Sequence, residues 1–100
     1  MRYTIRYSDE AIDDFKNISF LIANEFGMPQ TAFNYLKGLK DRIKQLELYP
    51  EACAVSVNKY IIENYGLNVR RLNYKKVSVI YTIIDKDVWI LRVLWSYSIY

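Results

Sequence analysis

The chain of 100 residues contains no histidine and a single cysteine, Cys53. Without a second cysteine, no disulfide can form within the chain. The absence of histidine excludes Ser-His-Asp and Cys-His nucleophile systems, and one cysteine alone does not provide a zinc-ligand set. We therefore expect no metal site, no cofactor and a fold held together by an apolar core.

Long apolar runs are also missing, since none approaches the ~20 residues of a membrane-spanning helix. The first ten residues, MRYTIRYSDE, are charged from the second position and lack the apolar stretch of a signal peptide. The hydrophobic fraction of 52% and the charged fraction of 25% are ordinary for a globular domain. We predict one domain over residues 1–100, in the cytoplasm and without a membrane partner.

Acidic residues are absent from residues 65–83. The same segment holds four basic residues: Arg70, Arg71, Lys75 and Lys76. A local basic field favours binding of phosphates or of an acidic protein. The alternative is a solvated strand edge and turn, where lysine and arginine discourage edge pairing. These four residues are the candidates for nucleic-acid or target binding.

The first quarter of the chain predicts a strand and a helix. The letters RYTIRY alternate between polar and apolar, which is typical of a half-buried strand. Ser8 suits a helix N-cap and Gly27 a C-cap, so a helix is expected over residues 8–26. Its apolar positions recur at helical spacing: Ile12, Phe15, Ile18, Ile22 and Phe26.

A second helix is expected from Pro29 to just before Pro50, because proline is favoured at a helix start and ends a helical run. Its apolar positions form a seam for packing: Ala32, Leu36, Leu39, Ile43 and Leu46. Gly38 lies within this helix at a cost of about 1 kcal/mol relative to alanine, and suggests close approach of a neighbour. The short link predicts an antiparallel helical hairpin.

Residues 51–66 show no clear period, and we interpret them as a connector with a short strand or helical turn at most. Three segments rich in β-branched and aromatic residues follow, separated by KK and DKD, which predicts an antiparallel meander. The expected fold is α+β in the order β-α-α-β-β-β. The helical hairpin would pack on one face of a small, mainly antiparallel sheet.

The last two predicted strands are apolar on both faces. By strict alternation, Arg92 shares a face with Val88, Ile90 and Leu94, opposite to Trp95. A sheet covered on one side only should alternate apolar with polar residues. We therefore expect a second cover, either residues 51–66, the C-terminal tail or a partner chain. A partner or self-association is the favoured interpretation.

Three stretches, in this order, carry a resemblance to the RelE/ParE superfamily, the toxins of bacterial type II toxin–antitoxin systems. They are YSDEAIDDFKNI, IKQLELYPE and VRRLNYKKVSVIYTIIDKDVWILRVL. The resemblance implies the fold predicted above, a cytoplasmic antitoxin partner and a role in plasmid stabilisation. RelE-like members are metal-independent endoribonucleases that cut mRNA on the ribosome, whereas ParE-like members poison DNA gyrase.

The resemblance also implies positions for site residues, and the sequence departs from them. RelE-like members commonly carry a catalytic arginine three residues before the hairpin tyrosine, Tyr81, and here that position is Ser78. The tail WSYSIY lacks the basic residue that the family often has there. Arg71 matches the family's arginine on the preceding strand, and Arg92 one frequent in ParE-like members. With Tyr97, these two arginines are the weak catalytic candidates.

Other side chains have structural interpretations beside their functional ones. The aromatic residues Trp95, Tyr97 and Tyr100 suit base stacking, core packing or a partner interface, and the last two uses are favoured in the absence of adjacent cations. The carboxylates of Asp14 and its neighbours complement the helix dipole at an exposed helix start.

Three functions remain open from the sequence. The first is a ParE-like toxin that binds a cellular target, with DNA gyrase as a candidate, and is neutralised by an antitoxin. The second is a RelE-like ribosome-dependent mRNA endonuclease with an altered active site. The third is a non-toxic relative that serves as a binding module. The chain is expected to form a homo- or hetero-oligomer.

Overall fold

The computed structural model describes residues 2–25 and 27–100. The helices are α1 (Asp9–Phe20), α2 (Pro29–Lys44) and α3 (Lys59–Tyr65). The strands are β1 (Thr4–Tyr7), β2 (Val69–Tyr74), β3 (Val77–Ile84) and β4 (Asp87–Trp95). A π-helical turn, Leu21–Glu25, extends α1, and 3₁₀ turns occupy Gln45–Glu47 and Ser96–Ser98.

The four strands form one sheet in the order β1-β4-β3-β2. β2, β3 and β4 are an antiparallel meander, and β1 joins β4 in parallel. The pair α1 and α2 packs on one face, which we call the hairpin face, and the main apolar core lies between them and the sheet. The predicted α+β fold is confirmed, with α3 as an additional element.

The start of α1 follows from the capping chemistry in the sequence. The Ser8 hydroxyl accepts a hydrogen bond from the backbone N–H of Ala11, as an N-cap should. Ala11 is fully buried, whereas Ile12 is 42% exposed, so the prediction of Ile12 as a core residue is wrong. The other predicted core positions that the structure describes, Phe15, Ile18 and Ile22, are buried. The predicted apolar position Phe26 lies outside the described residues.

Helix α2 begins at Pro29 as predicted, and its apolar seam packs into the core. Gly38 lies on this helix where β2 comes close, because a Cβ atom there would be 2.2 Å from the Tyr74 hydroxyl oxygen. The Tyr74 ring is itself held edge-to-face against Tyr35, with centroids 5.5 Å apart. The close approach expected at Gly38 is therefore to a strand side chain.

We expect Gly38→Ala to lower the free energy of unfolding by about 1 kcal/mol. Overpacking costs about 1–3 kcal/mol and outweighs a helix-propensity gain of up to about 1 kcal/mol. In a Tyr74→Phe background the nearest remaining atom is a ring carbon at 3.2 Å, so the same change should be neutral or stabilising. Urea denaturation of the four proteins measures this, and an equal effect in both backgrounds would contradict it.

A β-bulge in β4 changes which of its side chains share a face. Ile90 pairs with Tyr81 and Arg92 with Ile80, which leaves Leu91 as an extra residue without a partner on β3. Val93 and Trp95 therefore join Val88 and Ile90 on the hairpin face. The prediction that strict alternation places Trp95 opposite to Val88 is wrong, because a bulge reverses the alternation beyond it.

The other face of the sheet, which we call the second face, is covered by the chain itself. Ile61 of α3 is fully buried there against Val69 and Ile80. Partly buried side chains surround them: Tyr60, Tyr65, Leu91, Leu94 and Ile99. The preference for a partner as the second cover is wrong, since residues 51–66 and the tail supply it, and within them the expected connector contains a seven-residue helix.

None of the described helices has the length and apolar character needed to cross a bilayer.

Candidate functional site

A polar network lies on the second face around Arg71. The Arg71 Nε donates to Asn73 Oδ1 and to Ser78 Oγ, each at 3.0 Å. The Ser78 hydroxyl is buried and also lies 2.8 Å from both Asn73 Oδ1 and Ser96 Oγ. The guanidinium of Arg71 is thus held in place by neutral groups, and its charge is not cancelled by a carboxylate among the described residues.

Arg92 forms an ion pair with Asp14, across 78 residues of sequence. Its Nε and Nη2 atoms donate to the two carboxylate oxygens at 2.7 and 3.0 Å, and the backbone N–H of Val93 donates to the same carboxylate at 2.9 Å. The bond to Asp14 raises the pKa of Arg92. Asp14 is only 9% exposed, so its interpretation as an exposed dipole partner is wrong.

This ion pair completes the edge of β4 where β1 ends. β1 pairs with β4 only as far as Tyr7, opposite Ile90. Beyond that point the Ser8 hydroxyl donates to the Leu91 carbonyl oxygen at 2.7 Å, and Asp14 accepts from Val93. Helix α1 therefore replaces a strand along this edge, which satisfies buried backbone groups that would otherwise lack partners. Arg92 is positioned as a structural residue.

The four predicted target-binding residues do not converge. Arg70 pairs with Tyr81 and Arg71 with Ile80, so the two arginines point to opposite faces, as expected. Arg70 donates to the Cys53 carbonyl oxygen. Lys75, in the β2–β3 turn, places its Nζ 5.6 and 5.4 Å from the ring centroids of Tyr35 and Tyr74. The exposed Lys76 lies in the same turn.

The aromatic residues of the tail have different roles. Trp95 packs partly into the main core and stacks on Tyr97, with ring centroids 6.3 Å apart. Tyr97 itself is 77% exposed. Tyr100 is also exposed and meets the Tyr60 ring edge-to-face at 5.6 Å, while its carbonyl oxygen accepts from Asn58. The tail therefore packs against α3 through Tyr100, whereas the exposed Tyr97 ring contacts Trp95.

Tyr81, the hairpin tyrosine, is fully buried on the hairpin face and donates its hydroxyl to the Pro50 carbonyl oxygen at 2.7 Å. Burial, with additional effects from Cys53, raises its pKa far above the ordinary value. Because the fold keeps this phenol neutral, the phenol makes its full contribution to the stability of the fold below pH ~10, which is the pKa of a tyrosine in the unfolded chain. That stability is lost as pH rises above ~10 towards the folded pKa.

We expect Tyr81→Phe to lower the free energy of unfolding by about 1–3 kcal/mol at pH 7, because the buried Pro50 carbonyl loses its donor. Above pH ~10 the difference in free energy of unfolding between the wild type and Tyr81→Phe should narrow by at most about 1.4 kcal/mol per pH unit, because only the wild type is destabilised by ionisation of Tyr81. The other tyrosines are common to both proteins and cancel. Urea denaturation from pH 7 to 11 tests this, and a constant difference would contradict it.

Several residues of this network were not predicted from the sequence. Asp14 is one of four acidic residues in the first six positions of α1, and only its contact with β4 distinguishes it. Asn73 and Ser96 gain their role from register, because Asn73 lies opposite Ser78 in the sheet. The available signal was the polar residues at positions 73 and 78, inside apolar strands, and at position 96, directly after the last strand.

Cationic side chains that could contact a phosphate are few on the second face of the described sheet. Acid–base cleavage of RNA requires a base, an acid and cations close to one phosphate. On the second face of the sheet, Arg6 and Arg92 are paired with Asp87 and Asp14, and Arg71 is the strand cation that has no carboxylate partner among the described residues. The described residues contain no cluster of metal-ligating side chains.

Comparisons with known proteins agree with this fold. Residues 5–96 match the sequence model of the ParE toxin of the type II toxin–antitoxin system parDE. A search of curated proteins finds no match. The chain is structurally similar to a chain of the chromosomal ParDE toxin–antitoxin system from P. aeruginosa. The TM-score is 0.71 at 16% identity, over 94% of this chain and 96% of that one.

Two further structures have similar folds. The toxin–antitoxin complex RelBE2 from Mycobacterium tuberculosis gives a TM-score of 0.62 at 16% identity, over 95% of this chain and 99% of its own. YafQ from E. coli strain BL21(DE3) gives 0.52 at 18% identity, over 99% of each chain. At these identities the similarity describes the fold, and the match to the sequence model identifies the family.

Proposed function

Because this chain belongs to the ParE toxin family of type II toxin–antitoxin systems, we propose that it acts in the cytoplasm by binding a cellular target, with DNA gyrase as the candidate, and that a cognate antitoxin neutralises it. The observation that supports a binding mechanism is made on the second face, where Asp14 neutralises the charge of Arg92. Arg6 is likewise paired with Asp87, so Arg71 is the strand cation on that face without a carboxylate partner among the described residues, and one cation is too few for cleavage of RNA without a metal.

An antitoxin partner is supported by the toxin–antitoxin systems among the structural relatives. The toxin surface that binds the target is proposed to include Arg71 and the exposed Tyr97, together with Lys76 of the β2–β3 turn. These groups present positive charge and an aromatic ring without a carboxylate partner among the described residues. Arg70 and Lys75 are less suited, because their side chains contact Cys53, Tyr35 and Tyr74.

The test is growth arrest on induced expression, followed by a supercoiling assay with purified gyrase. We expect growth arrest and inhibited supercoiling. Arg71→Ala should weaken both effects, whereas the control Lys59→Ala, which also removes one positive charge but from the exposed surface of α3, should weaken neither. Growth arrest without an effect on gyrase would reject gyrase as the target. Harmless expression without an antitoxin would instead favour a non-toxic binding module.

One observation favours a RelE-like nuclease as the second candidate. The Arg71 guanidinium lies 3.0 Å from Ser78 Oγ, and Ser78 occupies the position where RelE-like relatives commonly carry a catalytic arginine. Arg71 therefore delivers a cation to that place from the adjacent strand. Toeprinting on translating ribosomes distinguishes the two functions. Cuts in the A site that disappear in Arg71→Ala with Tyr97→Phe would replace the binding mechanism.

A further inference from the structure

Residues 96–100, which we call the strap, leave β4 and turn back across the second face. The Ser98 hydroxyl donates to the Trp95 carbonyl oxygen at 2.6 Å. The Ile99 N–H donates to the Ser96 carbonyl oxygen at 3.1 Å, and the Ile99 side chain packs against the small core beneath α3. The strap is therefore fixed by a few specific contacts rather than by a long regular element.

The far end of the strap holds α3 at its first turn. The Asn58 side chain serves both segments, since its Oδ1 accepts from the Ile61 N–H at 3.0 Å and its Nδ2 donates to the Tyr100 carbonyl oxygen at 3.2 Å. The rings of Tyr60 and Tyr100 meet edge-to-face, with centroids 5.6 Å apart. The residue that begins α3 is thus also the residue that binds the strap.

The near end of the strap belongs to the network around Arg71. The Ser78 hydroxyl donates to Asn73 Oδ1 and accepts from Arg71 Nε. Ser96 therefore donates across the 2.8 Å contact between the two serine hydroxyl oxygens. This contact uses the last hydrogen-bonding capacity of the buried Ser78 hydroxyl. The position of the strap and that of the Arg71 side chain consequently depend on each other.

Helix α3 depends on its surroundings to stay closed over the second face. A helix of seven residues is not stable in water without packing, and its fully buried side chain is Ile61. The flanking residues Val57 and Leu67 are 90% and 73% exposed, so they contribute little to closure. The contact of Ile61 and the contacts of the strap are what keep α3 in place.

We propose that the strap is the latch of an autoinhibitory cover. Helix α3 opens when the strap detaches from Asn58 and Ser78, and the toxin binds its target in this opened form. Opening uncovers the apolar side chains of Val69 and Ile80 and loosens the network that holds Arg71. The opened surface suits an apolar segment of the target that carries a carboxylate for Arg71. The role of a target rests on the proposed function, whereas the latch follows from the contacts alone.

Hydrogen exchange at the amides of residues 59–65, in the whole chain, measures the opening of α3. Asn58→Ser keeps a favourable N-cap but does not reach the strap. Exchange should become about fivefold faster, the effect of one lost hydrogen bond. Ile99→Ala removes half-buried apolar surface and should increase exchange about tenfold. Val57→Ala is the control beside Asn58 and should have no effect. Equal exchange in the wild type and all three variants would overturn the latch.

The connection between the two ends of the strap is tested with Ser96→Ala. This change removes the hydroxyl that contacts Ser78 and keeps the backbone bond from Ser96 to the Lys76 carbonyl oxygen. Exchange in α3 should again become faster. In return, Asn58→Ser should speed exchange at the amide of Ser96, because a single unit opens as a whole. An effect confined to the mutated end in both variants would show two independent contacts and overturn the latch.

The role of opening in target binding is tested by growth arrest and by the supercoiling assay. If the opened form binds the target, Asn58→Ser should inhibit supercoiling at about one fifth of the wild-type concentration, in proportion to the larger opened fraction. Faster exchange with unchanged or weaker inhibition would overturn the autoinhibitory role. A wild-type chain that neither arrests growth nor inhibits gyrase would reject the proposed function, and the exchange measurements would still decide on the latch.

Discussion

Replacing Asp14 with alanine is expected to lower the free energy of unfolding by about 3 kcal/mol, the lower end of the cost of breaking a buried ion pair. The carboxylate accepts three hydrogen bonds, two from Arg92 and one from the buried Val93 N–H. Without it, that N–H loses its partner and the edge of β4 is no longer satisfied. Because the Arg92 side chain is 32% exposed, solvent would partly stabilise its unpaired charge and reduce this cost.

Asp14→Asn is the matched variant, since an amide oxygen still accepts from Val93 but the negative charge is gone. We expect Asp14→Asn to lower the free energy of unfolding by roughly half as much as Asp14→Ala. The reason is that the amide keeps the hydrogen bond to Val93 and loses only the extra strength of the charged bonds to Arg92. Asp14→Ala combined with Arg92→Met should cost less than the sum of the single changes, because neither charge is left alone. Urea denaturation of the four variants and the wild type provides the measurement.

Equal stability of the wild type and Asp14→Ala would show that α1 does not complete the β4 edge as described. A full loss in Asp14→Asn, equal to that in Asp14→Ala, would show that charge rather than the hydrogen bond to Val93 is the important contribution. Asp13→Ala is the control on the same helix, because Asp13 is exposed.

The fold was predictable where local chemistry agrees with tertiary packing. Ser8 begins α1 and Pro29 begins α2 because capping and proline geometry act over a few residues. The two-residue breaks at KK and at DK of DKD likewise separate the strands. Residues with positive φ in these turns, Lys75 and Asp85, are not glycine, so the strands rather than the turn residues determine where the hairpins reverse.

The site was less predictable because it depends on register between distant segments. The bulge at Leu91 is invisible in an apolar run, yet it decides which face Val93 and Trp95 occupy. The pairing of Asp14 with Arg92 joins residues that have ordinary solvent-exposed interpretations when taken separately. Sequence patterns give the period of each element, whereas the contacts between elements require the fold.

The incorrect inference about the second face has the same origin. Residues 51–66 mix apolar and polar letters without a clear period, because α3 is too short to display one. Its N-cap is nevertheless regular, since Asn58 Oδ1 accepts from the Ile61 N–H at 3.0 Å. An isolated helix of this length is not stable in water, and its stability must come from packing. The buried contact that supplies it is made by Ile61.

We expect Ile61→Ala to lower stability by about 3 kcal/mol, within the 2–5 kcal/mol typical of such core truncations. Part of that loss should appear as local opening of α3, which hydrogen exchange over residues 59–65 would detect. Ile62→Ala is the matched control, because Ile62 is the neighbouring residue and is only half-buried. A loss below about 1 kcal/mol with unchanged exchange would show that Ile61 does not hold the cover in place.

The same variant separates two ways in which a partner binds this chain. A partner that binds the second face must wait for α3 to open, so its apparent affinity is reduced by the fraction of open molecules. Ile61→Ala increases that fraction and should therefore strengthen such binding. A partner that binds a surface away from α3 does not depend on this opening and should bind the variant and the wild type equally. Titration calorimetry of both proteins with one partner decides which surface that partner occupies.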